Sequence, residues 1–176
     1  MRTPTLETER LILRPLKISD AQEVFDSWTN DSEVAKYVRW NVNNSPAETI
    51  DTWLCDADEA AQSNTVYDWG IIYKETSEII GSGGVLYNED EDIFEIGYVV
   101  AKRYWGQGIA TEAARRFVKF AKDELNLAKL SAKHATENTA SGKILQKLGF
   151  AYKCDGTFDS YDGKRTFDCK EYILDL

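Results

Sequence analysis

The chain has one histidine, His134, and three cysteines, Cys55, Cys154 and Cys169. The cysteines are far apart and form no CxxC or Cys/His cluster, which argues against a metal site and a disulfide framework. Three reduced, at least partly buried thiols are expected. No apolar run approaches the ~20 residues of a membrane-crossing helix. The opening "MRTPTLETERLILRPL" lacks the apolar stretch and small-residue cleavage site of a signal peptide, so a cytoplasmic protein with no membrane partner is expected. Internal repeats and low-complexity linkers are missing too. Positive charge is in deficit: 21 Lys and Arg stand against 30 Asp and Glu, a net charge of −9. That disfavours nucleic acid, whose phosphates need clustered Lys and Arg, and suits a cationic partner such as an amine. What remains is 176 residues, 43% of them apolar, enough for one domain over 1–176 with a core of its own.

"RLILRPL" reads as a first strand ended by Pro15. "SDAQEVFDSW" starts with Ser19 as expected N-cap and Gln22 three residues on, with Val24, Phe25 and Trp28 at helical spacing. "SPAETIDTWLCDADEAAQ" repeats the pattern: Ser45 caps, Pro46 opens and Glu48 completes the box. The period then changes. Three β-rich runs over roughly 66–74, 79–87 and 93–100, joined by "KETSE" and "NEDED", predict an antiparallel meander. A long helix over about 107–124 follows, its buried stripe being Ile109, Ala113, Phe117, Phe120, Ala121 and Leu125. "AKLSAKHAT" is a strand, and "NTASGKILQKLGF" a shorter helix closed by Gly149. Two final strands, about 150–155 and 165–174, flank a turn at Asp162-Gly163. The expected fold class is mixed α/β: a largely antiparallel sheet of about seven strands with about four helices.

The informative stretch is "VVAKRYWGQGIATEAARRF", where Gly106 and Gly108 sit between a strand and a helix. The first amides of a helix lack intrahelical partners and carry the positive end of its dipole, so an anionic phosphate suits them. Glycine removes the Cβ atoms that would hold a diphosphate away, and Arg103 adds positive charge just ahead. Neither the GxxxxGK[ST] spacing nor a third glycine for GxGxxG is present. Two glycines in a tight turn with no ligand is the competing reading.

Three segments in order sharpen this. "TERLILRPL", "EIGYVVAKRYWGQGIATEA" and "ENTASGKILQKLGF" together resemble the GNAT superfamily of acyl-CoA-dependent N-acyltransferases, in particular its ribosomal-protein N-terminal acetyltransferase subgroup, over nearly the whole chain. The resemblance implies acetyl-CoA as co-substrate, no metal, and an amine acceptor, either a protein N-terminus or a small molecule, handled by a monomer or homodimer. It implies that Tyr98, Val99 and Val100 offer backbone groups to the pantetheine arm where two strands splay near a bulge, a geometry that does leave unpaired groups. It implies that the amides of Trp105, Gly106, Gln107, Gly108, Ile109, Ala110 and Thr111 hold the pyrophosphate. Asn138 and Ser141 would lie along the arm, Ser141 near the thioester sulfur.

The chemistry asks for a neutral amine, an oxyanion donor and a proton for the departing sulfur. A backbone N–H near Val99 is the expected oxyanion donor, and Ser141 the expected proton source. Glu95, just before "IGYVV", is the preferred base, its alternative being a solvent-facing strand carboxylate or one that holds a neighbouring loop. Ser141 has a local capping alternative, and Asn138 that of helix N-cap. His134 suits a base chemically but is expected to be packed. Tyr98 is expected in the core or cleft wall, and "NEDED" as a solvated turn, with attraction of a cationic substrate as its alternative. In "YVRWN", Tyr37 and Trp40 are expected to anchor a loop beside the acceptor, with Arg39 available to an acceptor carboxylate. No cysteine has a nucleophile's setting, so transfer is expected to be direct. A CoA-binding module without turnover is the alternative function.

Overall fold

Eight strands form one sheet in the computed structural model, which describes residues 2–176. They are β1 (Leu6–Glu7), β2 (Leu11–Arg14), β3 (Val66–Tyr73), β4 (Ile79–Asn88), β5 (Ile93–Val100), β6 (Lys129–Ala135), β7 (Ala151–Asp159) and β8 (Thr166–Asp175). Their spatial order is β1-β2-β3-β4-β5-β6-β8-β7. All pairs are antiparallel except β5 with β6. Between those two the chain crosses over through the long helix α4 (Ile109–Asp123), and a crossover of that kind returns the strand parallel. The expected mixed α/β architecture is observed. Its additional strand, β1, has only two residues, too few to show a period.

The first helical segment begins before Ser19. Asp20 accepts the Lys17 N–H at 2.8 Å and the Arg14 guanidinium at 2.7 Å, so the capping carboxylate comes from Asp20 rather than from Ser19 and Gln22. A 3-10 turn (Ile18–Asp20) leads into α1 (Ala21–Val24), which widens into a π turn over Phe25–Thr29. The second segment starts as expected, with Pro46 opening α2 (Pro46–Thr49) and Ser45 Oγ accepting the Glu48 N–H at 3.1 Å. Glu48 reaches one residue further back, to the Asn44 N–H at 2.7 Å. A π turn (Ile50–Leu54) and α3 (Ala57–Ala60) complete it.

Alternation along β3 sorts its side chains. Tyr67, Trp69 and Ile71 enter a core closed by α4. There Trp69 stacks on Phe117 at 5.3 Å and meets Phe120 edge-on at 5.1 Å. Ile109, Ala113 and Ala121 are buried as predicted, whereas Leu125 falls beyond the helix end and is half-buried against the same core. The opposite face packs Ile72, Ile79 and Val99 against Trp28, Leu54 and Trp53 of the first two helical segments. Covered on both faces, the middle of β3 is buried throughout.

Gly149 terminates the shorter helix α5 (Thr139–Lys147) at φ +90°, with the Phe150 N–H donating to the Leu145 carbonyl at 3.1 Å, as its sequence position predicts. Cys169 is buried, Cys154 half-buried and Cys55 exposed. The expectation of burial therefore fails at Cys55, which lies on the outer side of its helical segment.

Candidate active site

The junction between β5 and α4 is a short loop that carries Gly106 and Gly108. Gly106 and Gly108 adopt φ of +74° and +77°, a left-handed conformation costly for residues with a Cβ. Gly108 precedes α4 without any side-chain cap, leaving the first-turn amides to a ligand or water. The Trp105 N–H is already used, donating to the Lys102 carbonyl at 3.1 Å. Arg103 turns from the loop, lying 3.6 Å from Glu78 and over the Tyr104 ring. The cation at the loop is Arg10, a residue that sequence reading missed. Its guanidinium donates to the Gln107 carbonyl at 2.9 Å and to Glu112 of α4 at 2.7 Å. Glu112 also accepts from the Thr8 hydroxyl at 2.5 Å and the Arg10 N–H at 2.8 Å. Burial acts to raise the Glu112 pKa, but the bonds from Thr8 and Arg10 outweigh it and hold it below the usual carboxylate value.

Beside this loop the sheet opens. β5 pairs with β4 without a break from Ile93 to Val100, but touches β6 only at Glu95↔Ser131. The splay therefore involves no bulge between β4 and β5. A Cβ on Gly81 would lie 2.2 Å from the Val99 carbonyl oxygen, and the Ala101 N–H donates to Ile80. Val99 is thus turned into the β4 ladder, and alternation turns Tyr98 and Val100 towards the gap. The expectation that Val99 offers free backbone groups is corrected by this register. At Val100 the carbonyl is taken by the Trp105 indole N–H at 2.7 Å, which leaves its N–H facing the gap.

Tyr98 spans the gap. Its hydroxyl lies 3.1 Å from Ser141 Oγ, linking β5 to the first turn of α5. Burial pushes the Tyr98 pKa up to about 12, only partly offset by Ser141. Asn138 is the N-cap of α5, its side chain accepting the Ser141 N–H at 3.3 Å.

A cleft of about 410 Å³ lies over the splay. Tyr37, Trp40, Trp53 and Phe158 wall it. Trp40 meets Trp53 at 5.3 Å, edge to face, and Arg39 lies over the Phe158 ring. "YVRWN" is held in place by Arg165, just ahead of β8, which donates to the carbonyls of Ala35 and Val38 at 3.1 Å and of Trp40 at 2.8 Å. Arg165 is invisible as a wall-builder in the sequence because its partners lie more than a hundred residues away.

Two carboxylates enter the cleft. Glu95 on β5 is bound to Lys133 of β6 at 3.3 Å and lies 3.5 Å from Asn88. Lys133 also holds Glu91 at 3.0 Å, so "NEDED" is not merely a solvated turn. Asp68 on β3 was not predicted. It accepts from the Trp69 N–H at 3.1 Å and from the Ser82 hydroxyl. Burial raises its pKa to about 6 against those two bonds. His134 is buried, with Nδ1 2.7 Å from the Ala135 carbonyl, Nε2 3.3 Å from the Tyr172 hydroxyl and Gly142 of α5 packed against the ring, the packed role expected of it. Among the described residues no group of three or more His, Cys, Asp and Glu is placed to hold a metal ion.

The family model for the acetyltransferase (GNAT) domain matches residues 10–151. The chain belongs to the GNAT family of acetyltransferases. An N-acetyltransferase of Bacillus licheniformis, p20, is 36% identical over 149 residues, covering 83% of this chain and 82% of the relative. The FsC-acetyl coenzyme A-N(2)-transacetylase of Aspergillus fumigatus is 30% identical over 171 residues, covering 90% of this chain and 69% of that protein. A structure described as a putative ribosomal-protein-serine acetyltransferase from Vibrio cholerae superposes with a TM-score of 0.81 at 19% identity, covering 100% of both chains.

Acetyl-CoA is the co-substrate of the GNAT family, to which this chain belongs. Its glycine loop is exposed and left-handed at both glycines, α4 starts without a side-chain cap, and β5 has an open edge after Glu95. Among the described residues no helix is long and apolar enough to cross a membrane.

Proposed function

We propose that this protein is an N-acetyltransferase that passes the acetyl group of acetyl-CoA directly to a primary amine. The observation that carries the proposal is the continuity of three features: an uncapped α4 behind two left-handed glycines, an open β5 edge, and the Tyr98–Ser141 pair at its end. The diphosphate would rest on the amides of Gly106, Gln107, Gly108, Ile109, Ala110 and Thr111, with Arg10 beside them. The pantetheine arm would pair with the backbone of Tyr98 and Val100 and pass Asn138. The Val100 N–H would meet the developing oxyanion. Tyr98 and Ser141 would protonate the departing sulfur, and burial keeps the phenol protonated at every working pH. None of the three cysteines lines the cleft, which supports transfer without an acyl-enzyme. Glu95 would contribute fixed negative charge towards a cationic acceptor, held in place by Lys133.

The test is thiol release from acetyl-CoA with a panel of primary amines and peptides with free N-termini. Amine-dependent release is expected. Tight coenzyme binding with no release by any amine would instead mark a CoA-binding module. Gly108→Trp is expected to abolish coenzyme binding in calorimetry while the protein stays folded, because the indole fills the diphosphate seat.

A further inference from the structure

Glu95 and Asp68 both reach the cleft, but their surroundings differ. Glu95 has a cation at 3.3 Å. Asp68 has only neutral donors, the Trp69 N–H and the Ser82 hydroxyl, and among the described residues it makes no ion pair. Asp68 is half-buried, and a carboxylate drawn even partly from water with no positive partner favours the arrival of a cation.

The sheet register extends the comparison. Asp68 pairs with Gly84, and Gly84 with Gly97. A floor bare of side chains therefore runs from Asp68 across β4 to β5, two strand spacings or about 10 Å. A Cβ on Gly97 would meet nothing within 4 Å, so the floor is open at its β5 end, whereas at Gly84 the β3 backbone lies close, the Tyr67 carbonyl 2.1 Å from where a Cβ would stand. Trp40 and Trp53 line the same cleft, and the buried Trp53 indole N–H has no protein partner. Aromatic faces around one unpaired carboxylate suit an alkylammonium ion, by charge and by cation–π attraction.

We infer that Asp68 is the carboxylate that draws the acceptor's ammonium into the cleft and, through water on the Gly84–Gly97 floor, accepts the first of the two protons that the nitrogen loses. This inference rests on the N-acetyltransferase reading. The ammonium gives one proton to Asp68, and the neutral nitrogen then attacks the thioester carbonyl. As the N–C bond forms and the C–S bond breaks, Tyr98 and Ser141 pass a proton to sulfur, and the second nitrogen proton returns through cleft water to the Tyr98 oxygen. The products are the amide, the thiol and one proton, which Asp68 releases to solvent. The other titratable or charged side chains around the cleft are Glu95 and Lys133, which are paired, His134, which is packed, Arg39 at the Phe158 wall, and the phenols of Tyr37, Tyr98 and Tyr161. None of them supplies a second unpaired carboxylate.

The experiment measures kcat/KM for the acceptor from pH 5 to 10, with the best primary alkylamine from the panel and a free-N-terminal peptide as separate arms. With Asp68 as proton acceptor, wild-type enzyme captures the ammonium form, so kcat/KM levels off above about pH 6 and falls only as the free amine loses its proton. Asp68→Asn must capture neutral amine. Its kcat/KM is expected to lack the plateau, climbing about tenfold per pH unit towards the amine's own pKa. Its acceptor KM should rise about tenfold, with acetyl-CoA KM unchanged. Glu95→Gln is expected to keep the plateau. Ser82→Ala, which removes a donor to Asp68, should shift the onset of the plateau to higher pH. An Asp68→Asn enzyme that is folded, keeps the plateau and keeps its acceptor KM overturns the inference while leaving the acetyltransferase reading intact. Absence of thiol release from wild-type enzyme in both arms overturns that reading and this inference with it.

Discussion

The indole N–H of Trp105 donates to the Val100 carbonyl at 2.7 Å, tying the glycine loop back to the strand from which it emerges. The same bond removes one of the two backbone groups that Val100 would otherwise turn to the gap. Trp105 is itself half-exposed, so its role is to hold the loop rather than to fill the core.

Trp105→Phe keeps the ring and loses the donor. Coenzyme affinity is expected to fall about tenfold, the equivalent of one hydrogen bond of ~1.4 kcal/mol, as the amides after Gly106 lose their fixed aim. Because the ring is exposed, the melting temperature should move little. Calorimetry with coenzyme A and a thermal melt check both halves; unchanged affinity would show that the loop is held by other bonds.

Glu112 connects α4 to the β1–β2 turn through Thr8 and Arg10. Its pKa is lowered in the folded state, so the stability it contributes is present above its unfolded value, about 4.3, and is lost as pH falls through the lower folded value. Glu112→Gln is therefore expected to melt below wild type at pH 7, with the gap closing as the pH drops below about 4. A gap that is constant with pH would mean that the carboxylate's charge does not matter.

Tyr98→Phe separates chemistry from binding. The phenol stays protonated up to about pH 12, so its loss should lower kcat by the same factor at every pH tested, on the order of 10²-fold for a lost general acid. KM for acetyl-CoA should change far less, since the expected pairing to pantetheine uses the Tyr98 backbone. Ser141→Ala should cost less than Tyr98→Phe. The reverse order in stopped-time thiol assays would assign the proton to Ser141.

Much of the architecture could be read from local pattern. The meander, the caps at Ser45 and Gly149, and the start of α4 behind Gly108 all rest on neighbours within a few residues, where periodicity and turn chemistry act. The missed features share a different origin. Asp20 caps the first helical segment because the Lys17 N–H donates to its carboxylate, which the Arg14 guanidinium holds in place. Arg10 reaches Gln107, and Arg165 reaches the cleft wall, across sequence separations that no local pattern encodes. Asp68 sits in a run that reads simply as strand, "VYDWGII", and only its neighbours Ser82, Gly84 and Gly97 reveal that its side faces a cleft.

By itself the sequence determined the order of the longer strands and helices, the glycine turn ahead of α4 and the family, because these depend on backbone conformation that glycine, proline and side-chain period control directly. Tertiary structure decided which backbone groups of β5 stay open, that Glu95 is matched by Lys133, and that Asp68 is not. Those outcomes depend on strand register and burial, and both arise only when distant segments share one sheet.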